Sequence, residues 1–261
     1  LSFGLLFTAL GAVIFLFIIT DRVVEAPGGN LLHKVAQTVQ KAINPNVDIE
    51  AQKPLANPPE IVKAIYSTNW SAGSEKKILY FLDLLNTTEL NAIVLDIKDY
   101  TGVVAWPTRV PRINALIKRF HDAGVYVIGR IAVFQDGELV RTRPDLALHS
   151  SSTGAVWADR KGVHWLDTAS TDVWKYNADI AKDALARGFD EINFDYIRFP
   201  SDGNIADIVY PFYDRATLKT TVLRKFFTYM RRELPDAKLS ADFFGEATYT
   251  DESGIGQRMK D

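Results

Sequence analysis

Charged side chains recur at the ends of successive hydrophobic segments of this 261-residue chain: Asp96, Lys98, Arg130, Asp195, Arg198 and Asp242. Burying a carboxylate costs free energy unless the group is paired or takes part in a reaction. Glycoside hydrolysis requires two carboxyl groups with separate roles, one ionised and one protonated. The alternative interpretation is an ion-pair network that only holds the ends of the strands together.

The residues themselves suggest how these roles are divided. Asp195 is the predicted nucleophile, because Arg130 and Arg198 are expected nearby and positive charge favours an ionised carboxylate. The acid is predicted to be Asp242, Glu246 or a residue beyond this sequence. Substrate contacts are predicted for a set of polar and aromatic residues: Tyr66, Asp96, Lys98, Arg130, Trp165, Tyr196 and Arg198. For the aromatic side chains, the alternative to stacking on sugar rings is ordinary packing.

The composition excludes several other kinds of site. The chain has no cysteine, which excludes a disulfide framework, a thiolate nucleophile and a zinc–thiolate site. Its four histidines form no H-x-H or H-E-x-x-H pair, and its net charge of −2 gives no reason to expect a nucleic-acid partner. No cofactor is predicted. A divalent cation held by Asp96, Asp195 and Asp242 is a weaker alternative.

The segments that must position these residues alternate between strand and helix periodicity from Glu60 onward. Strands are predicted over residues 61–66, 92–99, 125–134, 191–199 and 238–244, and helices over 74–86, 112–123, 172–187 and 218–234. Repeated βα units form a parallel sheet covered by helices. An open doubly wound sheet is the competing architecture, but the first strand is followed by no G-x-G-x-x-G loop. The sequence therefore favours a TIM (β/α)₈ barrel that stops after its fifth strand.

Strand alternation predicts which charged side chains share the interior of the barrel. In the second strand, Ile93, Leu95 and Ile97 are suited to face the helices. The predicted inward set consists of Asp96, Lys98, Asp195 and Asp242, with Arg130 between them. Active sites of this fold lie at the carboxyl ends of the strands, where these residues would converge.

The first part of the chain differs from the rest. Residues 1–20 carry no charge and are long enough to cross a bilayer, so they are predicted to be a transmembrane anchor, with a cleaved signal peptide as the alternative. Residues 21–57 are interpreted as a stalk, and residues 58–261 as the βα units. The barrel is therefore expected outside the cytoplasm, attached to the membrane or secreted. The sequence leaves the oligomeric state open.

One segment resembles a known family. The sequence GFDEINFDYIRFPSDG at residues 188–203 is similar to the strand-four signature of the "Putative glycosyl hydrolase domain" family of bacterial and archaeal barrels. Residues 91–99, 143–148, 240–245 and 254–257 also resemble this family, so the likeness covers about residues 58–261. The family is grouped with barrel glycosidases of the alpha-amylase and alpha-galactosidase types.

The resemblance implies that Asp195 is the nucleophile. Amylase-type enzymes take their acid from a glutamate on strand five, where this sequence has Asp242, with Glu246 four residues later. Galactosidase-type enzymes take theirs from strand six. The expected function is a retaining glycoside hydrolase that acts on a cell-envelope or extracellular polysaccharide. The alternative is a carbohydrate-binding module that keeps the barrel without the chemistry.

Overall fold

The structure is a computed structural model that describes residues 48–249 and 254–259. The chain divides into two units, Leu1–Ile49 and Glu50–Asp261, and the description below concerns the second. The predicted anchor at residues 1–20 and most of the predicted stalk lie outside the described residues. Among the described residues, no helix has the length and apolar character that a membrane crossing requires.

Five strands form one parallel sheet with the order β1-β2-β3-β5-β7. Their bounds are Ala64–Ser67 (β1), Ala92–Lys98 (β2), Tyr126–Ala132 (β3), Glu191–Asp195 (β5) and Lys238–Ala241 (β7). A separate antiparallel pair, His149–Ser150 (β4) with Ile208–Val209 (β6), joins two long loops. The predicted parallel order is confirmed, and the five strands resemble part of a (β/α)₈ barrel.

The helices alternate with these strands. They are Asn69–Ala72 (α1), Glu75–Thr87 (α2), Ile113–Asp122 (α3), Gly137–Thr142 (α4), Thr171–Arg187 (α5) and Lys219–Glu233 (α6). In α3, Ile113, Leu116, Ile117 and Phe120 are buried, which is the spacing of a single apolar helix face. Helix α5 is followed by Gly188, whose φ of +107° is a left-handed conformation that glycine adopts at little cost.

The two faces of the sheet pack against different partners, as strand alternation requires. The main core contains residues of one parity, including Ile93, Leu95, Val127, Ile192 and Phe194, together with the buried faces of the helices. A smaller cluster of the opposite parity contains Ala92, Tyr126 and Ile128, with Leu55 and Val94 packed against it. The sheet thus has a helix-covered face and an inner face.

The segment before β1 packs against the amino-terminal ends of the strands. The backbone N–H of Gln52 donates to the carbonyl of Arg187 at 3.0 Å. The N–H of Leu55 donates to the buried Asp190 carboxylate at 2.6 Å. Asp190 immediately precedes β5, and the Leu55 side chain packs against the cluster that contains Ala92, Tyr126 and Ile128. Residues 50–57, the last part of the predicted stalk, therefore contact the sheet directly.

Candidate active site

A single guanidinium group lies at the centre of the candidate site, on the inner face near the carboxyl ends of the strands. Arg130 of β3 donates from Nη1 to Asp96 Oδ1 at 2.6 Å and from Nε and Nη2 to Asp195 Oδ2. Its Nε also lies 3.9 Å from Asp242 Oδ2. Arg130, Asp96, Asp195, Asp242 and Tyr66, which contacts Asp96, are called the Arg130 cluster below.

Asp195 is the last residue of β5, where the chain turns out of the sheet. The Asp195 side chain is 22% exposed, and its Oδ1 accepts a hydrogen bond from the N–H of Tyr196 at 2.6 Å. Tyr196 has a φ of +52°, a left-handed conformation that costs a residue with a Cβ about 1–2 kcal/mol. Such local strain is concentrated at functional sites. Arg130 and this turn together fix the orientation of the Asp195 carboxylate.

Asp96 is the buried member of the cluster, with a side chain that is 3% exposed. Its Oδ2 accepts a hydrogen bond from the Tyr66 hydroxyl at 2.5 Å. Burial raises the pKa of Asp96, whereas the hydrogen bonds from Tyr66 and Arg130 oppose that change. The rings of Tyr66 and Tyr196 lie 5.6 Å and 5.8 Å from the Arg130 guanidinium carbon. Asp96 and the two rings thus hold Arg130 in place.

Asp242 follows β7 and is the most exposed carboxylate of the cluster, with a side chain that is 51% exposed. Its Oδ1 accepts a hydrogen bond from Asn193 Nδ2 at 3.2 Å. Partial burial and the negative charge of Asp195 raise the pKa of Asp242, and the Asn193 hydrogen bond and Arg130 limit the rise. The protonated form of Asp242 therefore persists to a higher pH than that of an ordinary aspartate.

Three carboxyl groups around one guanidinium leave an excess of negative charge. Burial alone disfavours the charge of Arg130, but Asp195 and Asp96 outweigh it and raise the pKa of Arg130, which remains a cation. Asp195 is partly exposed and oriented by Arg130, while partial burial and the charge of Asp195 raise the pKa of Asp242. The cluster thus holds two carboxyl groups in different surroundings, the arrangement that glycoside hydrolysis requires.

Lys98 does not join this cluster, contrary to the expectation from strand alternation. The register of β2 against β3 shifts between Asp96, opposite Arg130, and Lys98, opposite Ile131. The shift turns Lys98 away from the inner face. Its ammonium pairs with Asp136 at 2.6 Å, and both side chains are fully buried.

Trp165 and Arg198 form a separate group with Phe244. Trp165 is 1% exposed, and its Nε1 donates to Asp159 Oδ2 at 3.1 Å. The Arg198 guanidinium stacks between the Trp165 and Phe244 rings, at 4.9 Å and 4.8 Å, and donates to Ser201 Oγ at 2.9 Å. In this arrangement Trp165 is packed inside the protein, and the cation that pairs with Asp195 is Arg130.

Glu246 lies on a short 3₁₀ turn, Gly245–Thr248, beyond Asp242. Its side chain is exposed. The other predicted acid, Asp242, belongs to the Arg130 cluster and contacts Asn193 and Arg130.

Asn193 is a site residue that sequence reasoning did not select. It is 9% exposed, and its Nδ2 reaches both Ser240 Oγ and Asp242 Oδ1 at 3.2 Å. Its Oδ1 is buried and has no hydrogen-bond partner within the described part of the chain. The inward parity that placed Asp195 in the barrel also applies to Asn193, two residues earlier in β5, and was the signal available.

The Arg130 cluster is not built like a metal site. Among the described residues, no group of three or more His, Cys, Asp or Glu side chains is arranged to hold a metal ion. The space between Asp96 and Asp195 is bridged by the Arg130 guanidinium, which neutralises the oxygens a hard cation would need. This geometry disfavours the divalent-cation alternative.

The chain is similar to several known proteins. The family model described as "Putative glycosyl hydrolase domain" matches residues 64–261. A crystal structure of a hypothetical protein from Ruminiclostridium thermocellum is 37% identical with a TM-score of 0.62, covering 68% of this chain and 96% of that one. No curated protein matches the chain.

More distant similarity extends to galactosidases. The galactosidase domain of an alpha-galactosidase-sucrose kinase is 18% identical with a TM-score of 0.50, over 70% of this chain and 27% of that one. An alpha-galactosidase from Thermus thermophilus is 20% identical with a TM-score of 0.49, over 74% of this chain and 39% of that one. The chain thus spans less than half the length of either galactosidase, and at this identity the likeness concerns the fold alone.

Proposed function

The chain belongs to the "Putative glycosyl hydrolase domain" family, and from that premise we propose that the Arg130 cluster hydrolyses glycosidic bonds with Asp195 as the nucleophile. The observation that carries the proposal is the position of Asp195. It ends β5, is partly exposed, and is oriented by Arg130 within reach of a second carboxyl group whose pKa is raised. Active sites of (β/α)₈ barrels lie at this end of their strands.

The mechanism follows from the two kinds of carboxyl group. In a retaining glycosidase, the ionised carboxylate attacks the anomeric carbon while the protonated acid donates its proton to the leaving oxygen. We assign the first role to Asp195 and the second to Asp242. Water then hydrolyses the glycosyl–enzyme ester with the second group acting as the base. Glu246 is the competing acid on the same segment of chain.

The experiment compares the full chain with its Asp195→Asn form on a panel of oligosaccharides and polysaccharides, with reducing ends as the readout. We expect Asp195→Asn to lose activity by a factor of about 10³ or more, because the nucleophile is removed. Asp179→Asn is a matched control, since Asp179 is an exposed aspartate on α5 that pairs with Lys175. Equal activity of the native and Asp195→Asn proteins on every glycan cleaved would refute the assignment.

The acid and the stereochemistry are tested separately. Asp242→Asn and Glu246→Gln should differ, with only the former losing activity on substrates that have poor leaving groups. NMR of the first product distinguishes a retained from an inverted anomeric configuration. Retention is the expected result, and inversion would mean that Asp195 activates water instead of attacking the sugar.

We propose a cell-envelope or extracellular polysaccharide as the substrate. The support is the uncharged apolar run at residues 1–20, which suits a membrane anchor or a signal peptide ahead of the domain. Membrane fractionation of cells that express the full chain tests this arrangement. Recovery in the cytosolic fraction would contradict it.

One observation favours a second candidate function. Both carboxylate oxygens of Asp195 already accept hydrogen bonds, from Arg130 and from the N–H of Tyr196. A carboxylate held in this way also suits a carbohydrate-binding module with no catalysis. That module would retain glycans equally well in the native and Asp195→Asn forms and release no reducing ends.

A further inference from the structure

An exposed tryptophan stands beside the candidate active site on the segment that follows β1. Trp70 of α1 is 69% exposed, whereas the other four tryptophans of the chain are buried or half-buried. Leaving so large an aromatic surface in water is unfavourable, and exposed aromatic side chains are typical of binding sites. The exposed Trp70 ring offers an apolar surface to a ligand at the same end of the strands as the Arg130 cluster.

The Trp70 ring rests on a second arginine. The Arg109 guanidinium carbon lies 4.5 Å from the centre of the ring, which is a cation–π contact. Arg109 is itself fixed by a salt bridge to Asp99 Oδ2 at 2.9 Å and by donation to Asn69 Oδ1 at 2.8 Å. The Asp99 side chain is 14% exposed and Asn69 is fully buried, so the anchor points are inside the protein. One face of the Trp70 ring is thus held by an arginine whose own position is fixed by Asp99 and Asn69.

The backbone reinforces this support. Thr68 begins α1, and its hydroxyl accepts a hydrogen bond from the N–H of Ser71 at 3.1 Å. A Cβ at Gly73 would lie 2.3 Å from the carbonyl oxygen of Arg109, so only glycine lets α1 approach the Arg109 segment so closely. Trp70 follows β1 and Asp99 follows β2. Both residues therefore lie beyond the carboxyl ends of the parallel strands, near which the Arg130 cluster also lies.

Trp70 contacts Arg109, whereas the carboxyl groups proposed to react contact Arg130. Tyr66, four residues before Trp70, links the two regions, since its hydroxyl contacts Asp96. Four residues of chain span at most about 14 Å, so the Trp70 backbone lies within that distance of the Tyr66 backbone. Three more exposed aromatic residues belong to or follow the same ends of the strands: Tyr66, Tyr100 and Phe244. A ligand that contacts both Trp70 and the Arg130 cluster therefore has to meet two groups built around different arginines.

We propose that Trp70 is a stacking platform for a sugar unit remote from the cleaved bond, so that this site takes a polysaccharide chain rather than a small glycoside. The proposal rests on the proposed function and names its substrate class. The apolar C–H face of a pyranose packs on the open face of the indole ring, while the Arg109 guanidinium covers the other face. Because the platform is already ordered, little side-chain entropy is lost on binding.

The test is affinity electrophoresis of the Asp195→Asn protein, which keeps the chain intact, through gels that contain galactomannan, soluble starch or hydroxyethyl cellulose. We expect at least one polysaccharide to retard it. Adding Trp70→Ala should weaken that retardation about tenfold, and Trp70→Tyr, which keeps a ring, should recover part of it. Binding should also protect the exposed Trp70 indole from acrylamide quenching of fluorescence.

Tyr80→Ala is the matched control. Tyr80 on α2 is 53% exposed and has Lys77 Nζ 5.9 Å from its ring, so it shares the exposure and the cation of Trp70 without its position. The proposal is overturned if the Asp195→Asn protein and the Asp195→Asn/Trp70→Ala protein migrate equally in every gel, whether or not the gels retard them. An equal loss with Tyr80→Ala also overturns it. If Asp195→Asn still hydrolyses glycans while Trp70→Ala loses retardation, the proposed function fails and the platform stands.

Discussion

Arg130 is the residue on which the candidate site depends. It contacts the buried Asp96 and the accessible Asp195, and it lies 3.9 Å from Asp242. The sequence predicted this convergence because strand parity and strand ends identify inward side chains. It could not predict that one guanidinium bridges all three carboxylates, since that depends on side-chain conformations.

The first prediction concerns Arg130→Gln. Removing the guanidinium leaves the Asp96 carboxylate, 3% exposed, buried without its cation, and breaking such a pair costs about 3–5 kcal/mol. We expect a loss of that order in the free energy of unfolding in urea. Arg119→Gln is the control, because its salt bridge to Glu75 is exposed and contributes at most about 1 kcal/mol. Equal losses for the two variants would show that the cluster is not a buried network.

The second prediction concerns the pKa of Asp242, which two substitutions should change in opposite directions. The pKa of Asp242 is raised by burial and by the charge of Asp195, and is lowered by the hydrogen bond from Asn193. Asp195→Asn should therefore lower the pKa of Asp242, and Asn193→Ala should raise it. Carbon-13 NMR of the carboxyl groups over a pH titration measures both shifts. Shifts of the same sign in the two variants would contradict the assigned contacts.

At the scale of elements, the sequence predicted the order of strands and helices but not every boundary. Helix α5 was predicted to begin at residue 172 and begins at Thr171, and its end at Arg187 was predicted from the glycine that follows. Strand β5 was predicted to reach residue 199 but ends at Asp195, because the left-handed turn at Tyr196 breaks the extended run. Helices α1 and α4 are too short for an apolar period to be recognised.

The register shift in β2 is the element-scale feature that misled strand parity. It moves Lys98 into a fully buried pair with Asp136. Asp136 also begins α4, where its Oδ1 accepts the N–H of Leu139 at 2.7 Å. The pair therefore joins the end of β2 to the start of a helix that sequence periodicity does not reveal.

The third prediction follows from this pair. Lys98→Met leaves the Asp136 carboxylate buried without a cation and should lower the free energy of unfolding by about 3–5 kcal/mol. The double variant Lys98→Met/Asp136→Asn should recover most of that loss, because asparagine keeps an oxygen for the Leu139 N–H and carries no charge. Denaturation curves of the single and double variants form the test. Additive losses would mean that the two side chains do not interact.

At the scale of the whole molecule, the segment before β1 covers the amino-terminal ends of the strands. Residues 50–57 pack on the amino-terminal ends through the hydrogen bond from Leu55 to Asp190. Asp190 also accepts the N–H of Val127 at 2.7 Å and contacts His121 Nε2 at 2.9 Å. The composition of residues 50–57 suggested only a linker. The packing could not be predicted from it, because the packing depends on one apolar side chain, Leu55, and on one buried carboxylate, Asp190.

The fourth prediction tests the packing of residues 50–57 on the amino-terminal ends of the strands. Asp190→Ala removes an acceptor shared by two backbone N–H groups and should destabilise the protein by about 2–3 kcal/mol. It should also release the segment around Leu55, so that the Leu55 amide exchanges its hydrogen for deuterium faster. Asp179→Ala, on the surface of α5, should change neither quantity. Unchanged exchange at Leu55 in Asp190→Ala would show that the hydrogen bond does not hold the segment.

The direction in which the chain enters this unit has a practical consequence. Gln52 and Leu55 contact the unit beside the start of β5, whereas Asp195 lies at the other end of the same strand. A chain that begins at Glu50 and is coupled to a bead through its first residue would therefore be held near the start of β5. Coupled in this way, it should leave bulky polymers free access to Asp195.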